Sequence, residues 1–316
     1  MVSREIRAWD NYWKRGEINS CISGENSEYQ NEVNQFWQEF FADFDNDICL
    51  LDIGTGNGLL PVLAVDVANE KNFSWEVHGV DLADIDPEKY VRACTEELSQ
   101  INFQGRIAAE ALPFEDRYFD GVTSQYAIEY GTLSKSIPEI SRVLKKSGQF
   151  CAVLHARDSI VVQQNIENMT EADFLLGNTI FDSCKKLLSR AYASGRNMDG
   201  IADVYIAQVE SLAGSFQENI RPNIIPKMQQ TLLEILRLSP QYSLSQVLEM
   251  VDNAVIRLQG QRAILADLVN SSLDKTQEDQ LVEMMIEAGF KDIKISEFRI
   301  GAKNILLGIC IKAQMK

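Results

Sequence analysis

The sequence predicts an α/β fold: a parallel sheet flanked by crossover helices and interrupted by an all-helical module. Three observations carry this. In Leu50-Leu51-Asp52-Ile53-Gly54-Thr55-Gly56-Asn57-Gly58-Leu59-Leu60 an apolar strand enters a three-glycine turn and leaves as an apolar helix. Strand and helix signals then alternate as far as residue 155, as a parallel sheet requires. Beyond it, about 120 residues show apolar spacing that is helical throughout.

The strands are expected at 48–53, 75–80, 103–108, 118–124 and 149–155. Asp86-Pro87 opens a helix running to about Glu97, with aspartate as N-cap and proline at the first helical position; Ser136-Ile137-Pro138 opens another. Near the C-terminus Thr276-Gln277-Glu278-Asp279 reads as a capping box, ahead of Leu281, Val282, Met285 and Ile286 on one face, and Gly289 stops that helix. Strands at 291–298 and 304–312 follow, joined through Arg299-Ile300-Gly301-Ala302. In the helical stretch, segments 170–193, 199–218, 225–238 and 243–271 are broken only around Pro222, Pro226 and Pro240. Met169, Met198, Met228 and Met250, with Phe174, Phe181 and Leu187, read as helix core rather than as a ligand box. The N-terminal arm, Trp9-Asp10-Asn11-Tyr12-Trp13-Lys14-Arg15-Gly16, is aromatic and helical in pattern, suited to lie as a lid over a ligand. The expected organisation is an arm at 1–47, a sheet domain at 48–155 with 274–316, and a helical insertion at 156–273 that serves as a cap or a dimerisation surface.

A turn of this kind has a chemical use. Glycine tolerates positive φ, lets the backbone approach a ligand, and leads into a helix whose first N–H groups are unpaired. Val77-His78-Gly79-Val80-Asp81 then ends a second strand in a carboxylate, 23 residues after Gly58, where a ribose diol would lie. The spacing disfavours two ligand classes. The dinucleotide fingerprint needs glycine at its first, third and sixth positions, and here Leu59 is sixth; a phosphate loop needs Gly-Lys-Ser/Thr, and Asn57-Gly58-Leu59 has no lysine. The plain structural alternative is a turn that only packs helix against strand.

The pattern resembles motif I of the class I S-adenosylmethionine-dependent methyltransferases, small-molecule type. The resemblance continues in order through Glu110-Ala111-Leu112-Pro113-Phe114, then Tyr118-Phe119-Asp120-Gly121-Val122-Thr123-Ser124-Gln125-Tyr126-Ala127, then Glu139-Ile140-Ser141-Arg142-Val143-Leu144-Lys145-Lys146-Ser147-Gly148-Gln149-Phe150. It covers residues 48 to about 155, and 276 to 312 more loosely. It implies a Rossmann-like seven-stranded methyltransferase sheet and S-adenosylmethionine as cofactor. Asp52, Gly54 and Thr55 would then face the methionine part, Gly56 and Gly58 shape the turn, and Asp81 accepts from the ribose hydroxyls. Leu82 and Leu112 would sandwich the adenine, and Gln125 would border the cofactor. Ala108 stands where the family often has an acid, so Glu110, beside Ala111, or backbone groups would take the adenine amino contact. Without a ligand, Asp52 would merely brace the turn and Asp81 would be a strand-end carboxylate.

Methyl transfer is an in-line displacement that requires positioning and desolvation, and no metal or covalent nucleophile. Gln125 and Tyr126 follow the fourth strand beside the switch point where open α/β sheets bind ligands, which makes them acceptor-side candidates. Glu129, Tyr130 and His155 come next, because a histidine ending the fifth strand could take a proton near neutral pH. Its alternative is a hydrogen-bonded strand-end residue, and His78, mid-strand, reads as structural.

Composition narrows the partners. The 316 residues are 45% hydrophobic and 24% charged, with a formal charge of -16 and no basic cluster, which disfavours nucleic acid. No apolar run reaches the roughly 20 residues of a membrane helix, and Met1-Val2-Ser3-Arg4-Glu5 lacks a signal-peptide core, so a cytoplasmic location is expected. The six cysteines, Cys21, Cys49, Cys94, Cys151, Cys184 and Cys310, contain no Cys-x-x-Cys pair, which speaks against zinc and disulfides. The leading expectation is methyl transfer to a small molecule under a helical insertion, with a homodimer left open. A protein or peptide methyltransferase, a non-catalytic S-adenosylmethionine-binding protein and, last, a nicotinamide oxidoreductase are the alternatives.

Overall fold

The computed structural model describes residues 4–18, 27–194 and 223–316. The expected segment 199–218, with Met198, Pro222 and Cys21, lies outside the described residues. The chain divides into two units, Met1–Gln163 with Asp267–Lys316, and Gln164–Ala266. No helix among the described residues is long and apolar enough to cross a membrane.

The first unit runs α1 (Arg4–Trp13), α2 (Ser27–Ala42), β1 (Cys49–Ile53), α3 (Leu59–Lys71), β2 (Glu76–Val80), α4 (Pro87–Tyr90), α5 (Thr95–Leu98), β3 (Ile101–Gln104), β4 (Phe119–Gln125), α6 (Leu133–Val143) and β5 (Leu144–Leu154). It closes with α11 (Lys275–Glu287), β6 (Phe290–Ile300) and β7 (Ile305–Met315). The sheet has seven strands in the order β3-β2-β1-β4-β5-β7-β6, with β7 antiparallel to both neighbours and the other pairs parallel. The chain builds outward from β1 to β3, then returns to place β4 against the other edge of β1, so the switch point falls between β1 and β4.

Leu50, Leu51, Asp52 and Ile53 are all buried, as a central parallel strand covered on both faces must be. One face packs against α2 and α3 through Trp37, Phe41, Leu60 and Leu63. The other packs against α6 and α11 through Ile137, Ile140, Leu281 and Met285.

Several local expectations are corrected, two of them where a non-glycine residue adopts left-handed backbone. β3 is Ile101–Gln104 rather than 103–108, because Gly105 and Arg106, at φ 62, turn the chain and direct the Ile107 N–H to the Asp81 carbonyl (2.9 Å). The helix expected from Asp86 to Glu97 is two short ones, α4 and α5, separated at Cys94, whose φ is 55; Asp86 holds the N-cap position without a side-chain cap bond. α6 begins at Leu133 and carries Pro138 inside it. The capping box is Asp274 with Gln277, two residues earlier than read: the Gln277 N–H donates to Asp274 Oδ1 and the Asp274 N–H to Gln277 Oε1, both at 3.0 Å. Ile286 is 53% exposed, off the buried face, while Gly289 follows the helix at φ 96.

The second unit is built from α7 (Ile160–Gly177), α8 (Ile180–Ala193), α9 (Ile224–Leu238) and α10 (Leu244–Ser271), of which the start of α7 up to Gln163 and the end of α10 from Asp267 belong to the first unit. The single segment expected at 170–193 breaks between α7 and α8, where Asn178 Oδ1 accepts the Thr179 N–H at 2.7 Å. Its apolar core joins Phe181, Cys184 and Leu188 to Leu232, Val247 and Val251, with Met169, Met228, Met250, Phe174 and Leu187 packed around them.

One polar group lies inside that core. Glu171 is fully buried and accepts the N–H groups of Asn223 (3.0 Å), Ile224 (2.9 Å) and Ile225 (2.9 Å), which open α9. A helix leaves its first N–H groups unpaired and places positive charge there, so this carboxylate replaces the cap that the Asn223 side chain does not make. Glu171→Ala should destabilise the helical unit by about 1–3 kcal/mol, the usual penalty of leaving buried polar groups unsatisfied. Chemical denaturation followed by circular dichroism measures this, and an unchanged midpoint would show that water replaces the carboxylate freely.

Candidate active site

The three glycines all sit at positive φ, Gly54 at 72, Gly56 at 53 and Gly58 at 90, where a β-carbon would be strained. Space forbids one as well. A β-carbon on Gly56 would enter the Trp13 ring, one on Gly58 would lie 2.6 Å from Phe103 Cζ, and one on Gly54 would collide with Ala127. The turn is tied to β2 on both sides. The Gly54 and Thr55 N–H groups donate to the Val80 carbonyl (2.8 and 3.0 Å), and Asp81 accepts the Gly56 N–H on Oδ2 and the Ala83 N–H on Oδ1, each at 2.8 Å.

Asn57, fully buried, donates from its amide to the carbonyls of Trp13 (2.9 Å) and Glu17 (2.7 Å) and so holds the N-terminal arm on the turn. The arm has a second tie. Asp10 pairs with Arg106 at 2.7 Å and accepts the Asp84 N–H at 2.8 Å.

These elements line a half-open cavity of about 430 Å³, within the range of small-molecule sites. Of the residues singled out from sequence, Asp52, Gly54, Thr55, Asp81, Leu82, Glu110, Gln125 and Tyr126 line it. Gly56, Gly58, Ala111, Leu112, Glu129 and His155 do not. Of the two leucines expected to sandwich the adenine, one is at the cavity. Leu82 is at the cavity, but Leu112 is buried in the apolar core and its N–H donates to Glu139 Oε2 at 2.9 Å. Glu139 in turn pairs with Arg142, whose guanidinium also donates to the carbonyls of Leu112 (2.9 Å) and Phe114 (2.7 Å), which fixes the loop behind Glu110. Glu110 Oε1 already accepts the Thr132 N–H at 2.7 Å. Gln125 Oε1 accepts from the Trp37 indole at 2.5 Å.

His155 does not reach the cavity as a general base must. It is 1% exposed, and its Nδ1 and backbone N–H both meet Glu129 Oε1, at 2.7 and 2.9 Å. The ring lies against Tyr126 (centroids 4.4 Å, tilted 32°) and meets Tyr130 edge-on (5.9 Å, 86°), so it contacts two cavity-lining tyrosines from behind. Tyr126 itself is held at φ 52, an uncommon conformation for a bulky residue. The sequence pointed to Tyr130 and to the arm, but not to Asp267 or to the individual Trp9 and Trp13 rings that line the cavity. For Asn57, a polar residue between two glycines was a readable signal.

Burial dominates the electrostatics. It pushes the Asp52 carboxyl up to about 7, partly offset by hydrogen bonds that include the Thr123 hydroxyl at 2.9 Å, and pushes Asp81 up to about 6 against its two N–H donors. Both acids would regain charge beside a cation. S-adenosylmethionine meets this requirement with a sulfonium and an ammonium group, and Asp81 offers remaining lone pairs to a ribose diol.

The sequence profile of the methyltransferase domain family matches residues 51–152. No protein of curated function matches the sequence. Among solved structures, geranyl diphosphate C-methyltransferase from Streptomyces coelicolor A3(2) is 17% identical, with 49% of this chain and 67% of that chain covered at a TM-score of 0.37. A Methanococcus maripaludis protein provisionally described as an S-adenosyl-L-methionine-dependent methyltransferase is 11% identical, with 100% of this chain and 95% of that chain covered at a TM-score of 0.44.

The raised carboxyls give a pH dependence. For the ligand-free protein, a folded pKa above the ordinary 3.8 means stability that is full below that value and is lost as pH rises through about 6 and 7. A cationic ligand reverses this. S-adenosylmethionine affinity should rise between about pH 5 and 8 with proton release, and Asp52→Asn should remove most of the slope. Calorimetry in buffers of different ionisation enthalpy reads it; a flat profile in the parent protein would refute the link.

The matched segment, residues 51–152, is a methyltransferase domain, and it holds the three-glycine turn and the carboxylate after β2.

Proposed function

We propose that the acceptor is a small molecule, methylated by in-line displacement inside the arm-covered cavity. The observation that carries this reading is the continuity of one cavity from Gly54 and Asp81 to Trp9, Trp13 and Tyr130. A concave, half-open pocket of this size suits a compact acceptor, whereas an extended peptide needs a long groove. The formal charge of -16 supports the same choice over nucleic acid.

In this reading Asp52 and Asp81 orient the cofactor, and the glycine turn brings backbone to it without side-chain obstruction. The Trp9 and Trp13 rings exclude water from the reacting pair. Tyr126 and Gln125 border the acceptor, while His155 and Glu129 act through Tyr126 as positioning residues. When bound, S-adenosylmethionine supplies the electrophilic methyl group, and alignment is left to the protein.

Isothermal calorimetry should show S-adenosylhomocysteine binding at least tenfold tighter than NAD; equal or tighter NAD binding would sink the reading. Asp81→Ala should weaken cofactor binding by about 1.5–3 kcal/mol, the worth of hydrogen bonds to a charged group. Because Asp81 also braces Gly56 and Ala83, Asp81→Asn, which keeps an acceptor oxygen, should lose less. An Asp81→Ala protein of normal fold and unchanged affinity would make the acid a brace alone.

A further inference from the structure

We propose that Asn57 is a positioning residue that couples cofactor binding to docking of the N-terminal arm: its side-chain amide holds the arm on the glycine turn, and a bound cofactor holds the arm there more firmly. This rests on the methyl-transfer reading above and adds how the site is closed.

Asn57 is fully buried and does not line the cavity. Its amide nitrogen donates to two carbonyls of the arm, those of Trp13 at 2.9 Å and Glu17 at 2.7 Å. Only the nitrogen of an amide can face two carbonyls, so chemistry fixes which way the group is turned. The oxygen is left buried, with no donor among the described residues. Burying an amide oxygen without a partner costs free energy, and a small or apolar residue in the turn would avoid that cost. The two bonds to the arm are what offsets it.

The neighbouring turn residue is shaped for the same contact. Gly56 does not line the cavity either, and a β-carbon on it would enter the Trp13 ring, so the bare backbone there admits the arm. Its N–H donates to Asp81 Oδ2 at 2.8 Å, so one glycine meets both the ring and the carboxylate expected to hold the ribose. Trp9, Trp13 and Ile18 of the arm then line the cavity together with Asp52, Gly54 and Asp81. A ligand that touches both sets binds the docked arm better than the released one, and a difference in affinity between two states is what shifts their populations. Reciprocally, any change that weakens docking lowers the apparent affinity for the ligand.

The test uses the full chain and two variants that loosen docking from opposite sides. Asn57→Asp keeps the size of the side chain and sets carboxylate oxygens against the two carbonyls. Gly16→Val acts from the arm, because Gly16 stands at φ 81 and a β-carbon on it would collide with the Tyr90 carbonyl, which is outside both the turn and the cavity lining. Calorimetry gives the S-adenosylhomocysteine affinity, and mass spectrometry follows backbone hydrogen exchange over residues 4–18 and over β1. In the parent protein the ligand should slow exchange of residues 4–18 about fivefold. Each variant should speed that exchange without ligand and raise the Kd about tenfold, while β1 exchanges as in the parent. At saturating ligand the arm's protection should return toward the parent value, which a damaged fold would not show. Parent-like affinity in a variant whose arm exchanges faster, or ligand binding that leaves arm exchange unchanged in the parent, would overturn the coupling and leave the methyltransferase reading in place. Weakened affinity in Asn57→Asp with parent-like arm exchange would confine Asn57 to the turn and overturn it as well. If one variant does not fold, the other carries the test. A parent protein that does not bind S-adenosylhomocysteine would overturn both the coupling and the reading it rests on.

Discussion

The site depends on a single carboxylate. Asp81 stands at the end of β2 and receives one backbone N–H on each oxygen, from Gly56 and from Ala83. The first bond fixes the apex of the glycine turn, and the second fixes the chain as it leaves the strand. With the turn fixed, Asn57 faces inward and holds the arm, and the arm brings Trp13 over Gly56. Burial opposes the charge that makes these bonds strong, which is why the carboxyl titrates near 6. Each carboxylate oxygen has two lone pairs, so bracing the turn does not use up the capacity to accept from a ligand.

A second charged cluster fixes the loop behind Glu110. The Arg142 guanidinium donates to Glu139, Asp116 and two loop carbonyls, and its own pKa is raised by those carboxylates. A planar group with several donors in fixed directions can set a loop's conformation where a lysine could not. The loop it holds turns Leu112 into the core and leaves Ala109 and Glu110 at the cavity. A residue's place in a sequence motif therefore did not decide which way it faces.

What was legible in the sequence was local. The strand before the glycine turn, the turn itself and the strand ending at Asp81 follow from apolar runs and glycine spacing. The errors collect where Cys94 and Arg106 adopt left-handed backbone, a choice set by neighbours and not by residue type. They also collect where partners are distant in the chain. Glu129 meets His155 across 26 residues, Glu171 caps a helix more than 50 residues on, and Asp267 reaches the cavity from a helix whose apolar spacing gave no hint of it. The half of the cavity formed at strand ends was readable because parallel strands deliver their C-terminal ends to one edge. The half formed by the arm and Asp267 was not.

The tie between Asn57 and the arm has a consequence for how such a protein is divided. Residues 51–152, the stretch that carries the family likeness, contain Asn57 but neither carbonyl that it binds. They contain the floor of the cavity and omit Trp9, Trp13, Ile18 and Asp267 from its walls. The family likeness and these wall residues thus occupy different stretches of the same polypeptide. A fragment trimmed to the shared segment would keep the glycine turn and Asp81 and discard four residues of the cavity wall together with the carbonyls that Asn57 binds.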